Sequence, residues 1–483
     1  MLIDRAIPEA GVIAVPRQHL ETANILRGTS GHAIVIAVVI ADLFTLELFA
    51  VNDWWVPIGS PPPLPEPSQP PAADQWWTSA DPSPNSPQAP GLVFSGQRRD
   101  FLGLVARGAA LEFVTVGFYR FWLATDIRRH LWTNTQVDGD AAEYTGRGKE
   151  LLVGFLFALA IMVPIYVGYF LIGIEIERLK ALASIPLFVF FYVFGQFAIY
   201  RARRYRLTRT VWRGVRFWMD GSGWAYAARS SLWTVLTILT LGLTLPWRAA
   251  ALERYKMRHC HYGELQGGFD GRGWEFFKRG WWLWLLVGSL LFGPPSFNDI
   301  LRLADRPPLP KSVIDAIPFY YIVVSLAVPF IYAVFKSIEW RWWIAGLHFG
   351  QVRFSSTLQY GALAGLYWKV IGWLLLSGVV FAAYLFVGAW SIATISKLSM
   401  ANLVSGGLRG NVAMILVAAT GYLMFILAMN VVLRIYLMRD LWARIAASTS
   451  LHNIDAADNV ASRGDLASAL GEGFADSLDV VGF

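Results

Sequence analysis

Two stretches of this chain carry the same punctuation. Thr115-Val-Gly-Phe-Tyr-Arg-Phe-Trp122 and Thr240-Leu-Gly-Leu-Thr-Leu-Pro-Trp247 each close an apolar segment and open an arginine-rich one. A signal of this kind, given twice, implies a membrane protein built from repeated units. Composition agrees: 55% of the 483 residues are hydrophobic, 16% are charged and the mean hydropathy is +0.45, whereas soluble domains carry nearer a quarter charged residues. Tryptophans sit where apolar runs meet charge (Trp122, Trp247, Trp281, Trp282, Trp340, Trp342, Trp343), as amphipathic rings do at the headgroup level. The excess of 41 Lys+Arg over 34 Asp+Glu lies in segments between apolar spans, which fits cytoplasmic loops and excludes nucleic acid as the expected partner. Cys260 is the one cysteine, so no intrachain disulfide can form.

The span 33–51 is long enough to cross a bilayer but holds Asp42 and Glu47, and residues 57–90 hold half of the chain's 24 prolines, a composition that reads as a linker. Eight apolar runs follow: 101–122, 150–173, 181–200, 226–247, 280–298, 316–335, 361–390 and 411–433. Loops 123–149, 201–225 and 248–279 are rich in arginine and should be cytoplasmic; 174–180, 299–315 and 391–410 are balanced or neutral and should face the other side. Three transmembrane helical hairpins result, 150–200, 280–335 and 361–433. The remaining runs, 101–122 and 226–247, have basic flanks at both ends, which one crossing cannot satisfy. They are predicted to be re-entrant or broken, bending at Thr115, Gly117, Thr240 and Gly242. The rival arrangement makes both full spans and leaves one arginine-rich loop outside.

The expected fold class is therefore an all-α polytopic membrane protein with small cytoplasmic β-elements, since Tyr144-Thr-Gly-Arg-Gly148, Phe269-Asp-Gly-Arg-Gly273 and Phe94-Ser-Gly96 echo one another and read as short strands leading into helices. The predicted units are an N-terminal extension (1–56), a Pro-rich linker (57–93), membrane units at 94–217 and 218–354, a degenerate third unit at 355–445 and a cytoplasmic tail at 446–483.

These residues resemble the YjgN family of bacterial inner-membrane proteins. The likeness is carried by Phe94-Ser-Gly96, Thr115 to Trp122, Arg128-Arg129 through Thr133-Asn-Thr135 to Asp138-Gly139, Arg204-Tyr205 through Arg213-Gly214 to Arg216-Phe217, Thr240 to Trp247, Arg254-Tyr255, and Gly471-Glu-Gly-Phe-Ala-Asp476 with Asp479. A third threonine-glycine-proline-tryptophan block is expected near 420–435, where this chain reads Thr420-Gly421-Tyr422. The resemblance implies a multi-pass inner-membrane location, no established substrate or reaction, and a membrane-associated zinc metallopeptidase as a candidate partner.

Ionisable groups inside spans are the first candidates for function. Arg107, Glu112, Lys369 and Asn430 are candidate cavity or transport residues, with Lys369 a candidate partner of Glu112. Arg201, Arg203, Arg204, Arg206 and Arg209, interleaved with aromatics, are candidates for anionic lipid headgroups. His259-Cys260-His261 cannot aim three side chains at one ion, and neither a His-Glu-x-x-His nor a P-loop motif occurs, so no metal, no cofactor and no enzyme is expected. Two functions remain. One is a permease or channel for a small solute. The other is a non-transporting scaffold or lipid-organising protein whose tail, through Asp476 and Asp479, docks a partner.

Overall fold

A computed structural model describes residues 91–175, 180–291, 293, 298, 301–302, 306–307, 309–396, 412–468 and 476. The expectations for 33–51 and 57–90, and for Asp479, lie outside the described residues.

The order strand, helix, helix, strand occurs five times. Strand β1 (Leu92–Phe94) leads into α1 (Arg98–Val114) and α2 (Arg120–Thr133), which returns as β2 (Thr135–Val137). After β3 (Asp140–Ala141), β4 (Glu143–Tyr144) leads into α3 (Gly148–Glu175) and α4 (Lys180–Thr208), returning as β5 (Thr210–Trp212). Then β6 (Val215–Met219) opens α5 (Gly223–Leu239) and α6 (Leu245–Arg258), and β7 (Cys260–Tyr262) closes them. Strand β8 (Leu265–Phe269) opens α7 (Gly273–Leu291), followed by the short α8 (Lys311–Asp315) and α9 (Ile317–Gly346), closed by β9 (Leu347–Phe349). Finally β10 (Val352–Ser356) opens α10 (Ala364–Ser396) and α11 (Val412–Leu433), which continues through a π-helical turn (Arg434–Asp440) into α12 (Leu441–Ala447) and β11 (Thr449–His452).

The strands correct the all-α expectation. β4 to β11 form one antiparallel sheet of eight strands in sequence order, and β1, β2 and β3 form a second of three. The two meet at both edges: β3 runs through Ala142 into β4, and Gly91, next to β1, bridges Ser450 of β11. The strands thus close into a ring through one continuous chain segment and one bridge, which shortens the exposed sheet edges. Alternate residues point inward and are buried, among them Val137, Tyr144, Trp212, Phe217, Tyr262, Phe269, Phe349, Phe354 and Leu451. Phe217 of β6 meets Phe349 of β9 edge-on at 6.1 Å across the interior, so aromatic rings fill the ring.

Antiparallel pairing of each strand with the strand its helices return to puts all five helical pairs at one end of the ring. The tight turns Asp138-Gly139, Arg213-Gly214, Gly263-Glu264 and Gly350-Gln351 lie at the other. The junctions into the helices reuse one device. The rings of Phe94, Tyr144 and Phe269 lie over Gly96, Gly146 and Gly271, where an added Cβ would come within 2.6 Å of the first two rings and 2.4 Å of the third. Gly148 and Gly273 in turn abut the backbone of Trp122 and Trp247, which is what those two tryptophans of the duplicated block do.

Among the described residues, four helical stretches are long and apolar enough to cross a membrane: Gly148–Phe170, Ile317–Gly346, Ala364–Ile395 and Val412–Ala447. The segments expected as basic loops at 123–149, 201–225 and 248–279 are instead the ends of helices and the strands that follow them, because the helices run on past their apolar parts into the ring.

Candidate functional site

Counting back from the first residue of each returning strand exposes a layer that the linear sequence conceals. Seven positions before Thr135, Thr210, Cys260, Leu347 and Thr449 stand Arg128, Arg203, Glu253, Trp340 and Trp442; four positions before stand Leu131, Arg206, Lys256, Trp343 and Ile445. All ten are buried. The five returning helices therefore set two tiers of side chains over the ring, charged on the side of the first three pairs and largely aromatic on the side of the last two.

Buried charges need partners, and these are paired both across units and, for Lys256, within its own helix. Arg203 Nη2 donates to Glu253 Oε1 at 3.1 Å, and Lys256 Nζ lies 2.8 Å from Glu253 Oε2. Arg128 grips Asp476 with both Nη atoms, at 2.5 and 3.0 Å, and also donates to the Tyr144 hydroxyl at 3.2 Å. Arg206 Nε lies 3.5 Å from the same carboxylate. The side chains of Arg128 and Asp476 are fully buried. Burial pushes the Tyr144 phenol up from its ordinary value, so it stays protonated and able to donate.

The candidates named from sequence scatter. Glu112, on α1, accepts from Arg434 Nη2 at 3.1 Å and Nη1 at 3.4 Å, both side chains being buried. Its partner is Arg434 and not Lys369, which is exposed on α10, because α11 rather than the start of α10 packs against α1. Arg107 is exposed and lines an open cleft of about 790 Å³ between α1 and α2, with Asp126, Arg129 and His130. Asn430 donates to Ile426 O of its own helix at 3.0 Å.

Of the headgroup candidates, Arg203, Arg206 and Arg209 turn inward, which removes them from a lipid surface. Arg209 bonds Glu150 and the Ala467 carbonyl; burial opposes its charge, but the bonds with Tyr205 and Glu150 hold its pKa above the usual value. Arg201 lies over the Phe197 ring and, like Arg204, is half-buried. Asp476, read as a partner-docking carboxylate, is likewise internal. The His259-Cys260-His261 run splits: His259 bonds Asp220 at 2.7 Å, Cys260 points into the ring and His261 stacks on Trp218 at 4.1 Å. Burial pushes the Cys260 thiol up to about 12. Among the described residues no group of three or more His, Cys, Asp or Glu could hold a metal ion.

The two Thr-x-Gly bends have the same backbone. Val116 and Leu241 both have φ of 50°, Gly117 and Gly242 both 87°. The glycine N–H donates to Glu112 O in one and Thr237 O in the other, at 2.7 Å each. The threonine hydroxyl bonds back to the carbonyl four residues earlier, at 2.7 Å from Leu111 O and 2.8 Å from Leu236 O. These are helix ends whose carbonyls are satisfied by a left-handed cap.

The model of a bacterial protein family of unknown function, DUF898, matches residues 89–477, that is, the whole ring, its helices and Asp476. The chain belongs to that family. No curated protein and no solved structure matches it. Membership of this family gives no chemistry. The buried tiers and Arg434 went unread in the sequence because their signal is register relative to a strand start, and strands of two to five residues are hard to place beforehand.

Proposed function

We propose that this protein, in the finer assignment a YjgN-family member, is a multi-pass protein of the bacterial inner membrane that organises lipid around a rigid cytoplasmic ring, and that its two Thr-x-Gly pairs are wedges reaching into one leaflet only. The observation that carries this is the pair of bare apolar tips. Val114, Val116 and Phe118 in the first, and Ile238, Leu239 and Leu241 in the second, are all more than half exposed, while both ends of each pair join neighbouring strands of the ring. From Arg107 to Val116 is nine residues and from Arg229 to Leu241 twelve, or roughly 14 and 18 Å at 1.5 Å per residue, about half of a 30 Å hydrocarbon core. Arg107 then sits at headgroup level with its stem along the helix. The half-buried Arg201 and Arg204 are the remaining candidates for anionic headgroups.

A scaffold suits this geometry better than a permease. The ring is filled by rings of aromatic side chains, Glu112 is neutralised by Arg434, and Lys369 stands apart from both. A metallopeptidase partner would have to dock elsewhere than at Asp476. The test is lipid packing in proteoliposomes, read with a polarity-sensitive membrane probe. The wild type should loosen packing relative to protein carrying Val116→Ser and Leu241→Ser together. Equal packing with both proteins fully inserted would overturn the wedge reading, and saturable solute uptake by the wild type would favour a permease.

A further inference from the structure

The chain's last described residue makes the most demanding contact in the molecule. Asp476 lies 348 positions from Arg128 in sequence, yet its carboxylate is held by both Nη atoms of that arginine and lies beside Arg206. Two guanidiniums from different helical pairs converge on its two oxygens, and the Tyr144 hydroxyl accepts from Arg128 beside them, all of them buried. The planar fork of arginine matches a carboxylate or a phosphoryl group and little else. Of the segment leading there, residues 461–468 are described. Residues 461–466 are exposed, Ala467 is buried and its carbonyl accepts from Arg209 at 3.3 Å, and the stretch Ala461-Ser-Arg-Gly-Asp-Leu-Ala467 has a single large apolar side chain, Leu466, itself exposed. Gly464 lies against the Trp218 ring, and its φ of 97° lets the strap turn there.

We propose that Arg128, Arg206 and Tyr144 form an anion site built for a phosphoryl group, and that the C-terminal strap closes it by inserting Asp476 as a tethered ligand. The inference goes beyond the lipid-organising reading and stands or falls separately from it. A tethered ligand competes at an effective concentration on the order of millimolar, so a free anion must bind more tightly than this carboxylate to displace it. A phosphoryl group has the means: up to two charges and three acceptor oxygens against one charge and two oxygens. Binding and release of the strap are then one reciprocal equilibrium.

The test uses the full chain in a maltoside detergent, which carries no phosphate. Inorganic phosphate is titrated against chloride at matched ionic strength, with thermal midpoint and hydrogen exchange over 461–468 as readouts. In Asp476→Asn the strap should exchange at least tenfold faster than in the wild type, and phosphate should raise the midpoint saturably at a concentration at least tenfold below that needed to loosen the wild-type strap. Adding Arg128→Gln should abolish that response. If phosphate acts on Asp476→Asn no more than chloride, or equally with Arg128→Gln present, the proposal is wrong. Should Asp476→Asn not fold, the wild type decides: phosphate, or micelles doped with phosphatidylglycerol, must speed exchange over 461–468 at least tenfold, and a strap indifferent to both overturns the site. A response to phosphatidylglycerol alone makes the ligand a membrane headgroup; a response to inorganic phosphate makes it a soluble one.

Discussion

The two Thr-x-Gly pairs share a backbone and differ at one buried polar position. In the first pair the Glu112 carbonyl accepts from the Gly117 N–H of the cap, and its carboxylate accepts from Arg434 at the start of the π-helical turn. In the second, Thr237 holds the equivalent place and stays local: its hydroxyl donates to Trp233 O at 2.7 Å and accepts from Thr244 at 3.3 Å, which in turn lies 3.0 Å from Thr240. The bend is therefore a property of threonine, glycine and backbone geometry. The ion pair is an added tie, binding the first pair to the last helices and closing the bundle above the ring where Gly91 and Ser450 close the strands below. A π-turn at that spot fits a helix adjusted to deliver one side chain.

Breaking that tie should have the largest effect. Glu112→Ala leaves Arg434 buried and unpaired and should cost about 3–5 kcal/mol, read as a large fall in thermal midpoint in detergent, while Glu112→Leu with Arg434→Leu together should recover most of it. Gly117→Ala and Gly242→Ala should each cost about 1–2 kcal/mol and should do so alike, since both glycines have φ of 87°; unequal losses would show that the two bends are not one device. Thr237→Val, which breaks only a local hydrogen-bond ladder, should cost about 1 kcal/mol in the same assay. The smallest effect separates the pairs by pH. His130 of the first pair has Tyr255 as its counterpart in the second, and burial lowers the His130 pKa against the opposing pull of Asp100. The unfolded chain then takes up a proton near pH 6.5 that the folded chain refuses, so stability is full above about 6.5 and falls as pH drops below it. His130→Tyr should flatten the midpoint-versus-pH curve in that window.

The duplicated block was legible because threonine, glycine and tryptophan each do a job fixed by local geometry: cap, left-handed turn, and packing against Gly148 or Gly273. The helix-leading glycines after Phe94, Tyr144 and Phe269 were legible for the same reason. Closure of the ring was not, because it rests on one bridge between residues more than 350 apart and on a one-residue link at Ala142. Arg203, Arg206 and Arg209 read as a surface cluster because five cations in nine residues look the same on a headgroup surface and inside a bundle. Only the positions of Glu253, Glu150 and Asp476 distinguish the two, and those come from another unit, from the preceding helix of the same pair and from the far end of the chain.

The central claim is that short and long helical pairs stand on the same end of one ring and differ only in how far they enter the membrane. Cysteine mapping tests it directly. Cys260 can stay in place, since its buried thiol, pushed up to about 12, will not compete for reagent. Single cysteines at Glu264, Gln351, Leu241 and Ser396 are probed with an impermeant thiol reagent from each side. The account predicts that Glu264 and Gln351 label only from the cytoplasm, Ser396 only from the opposite side, and Leu241 from neither. Labelling of Leu241 from the same side as Ser396 would contradict it.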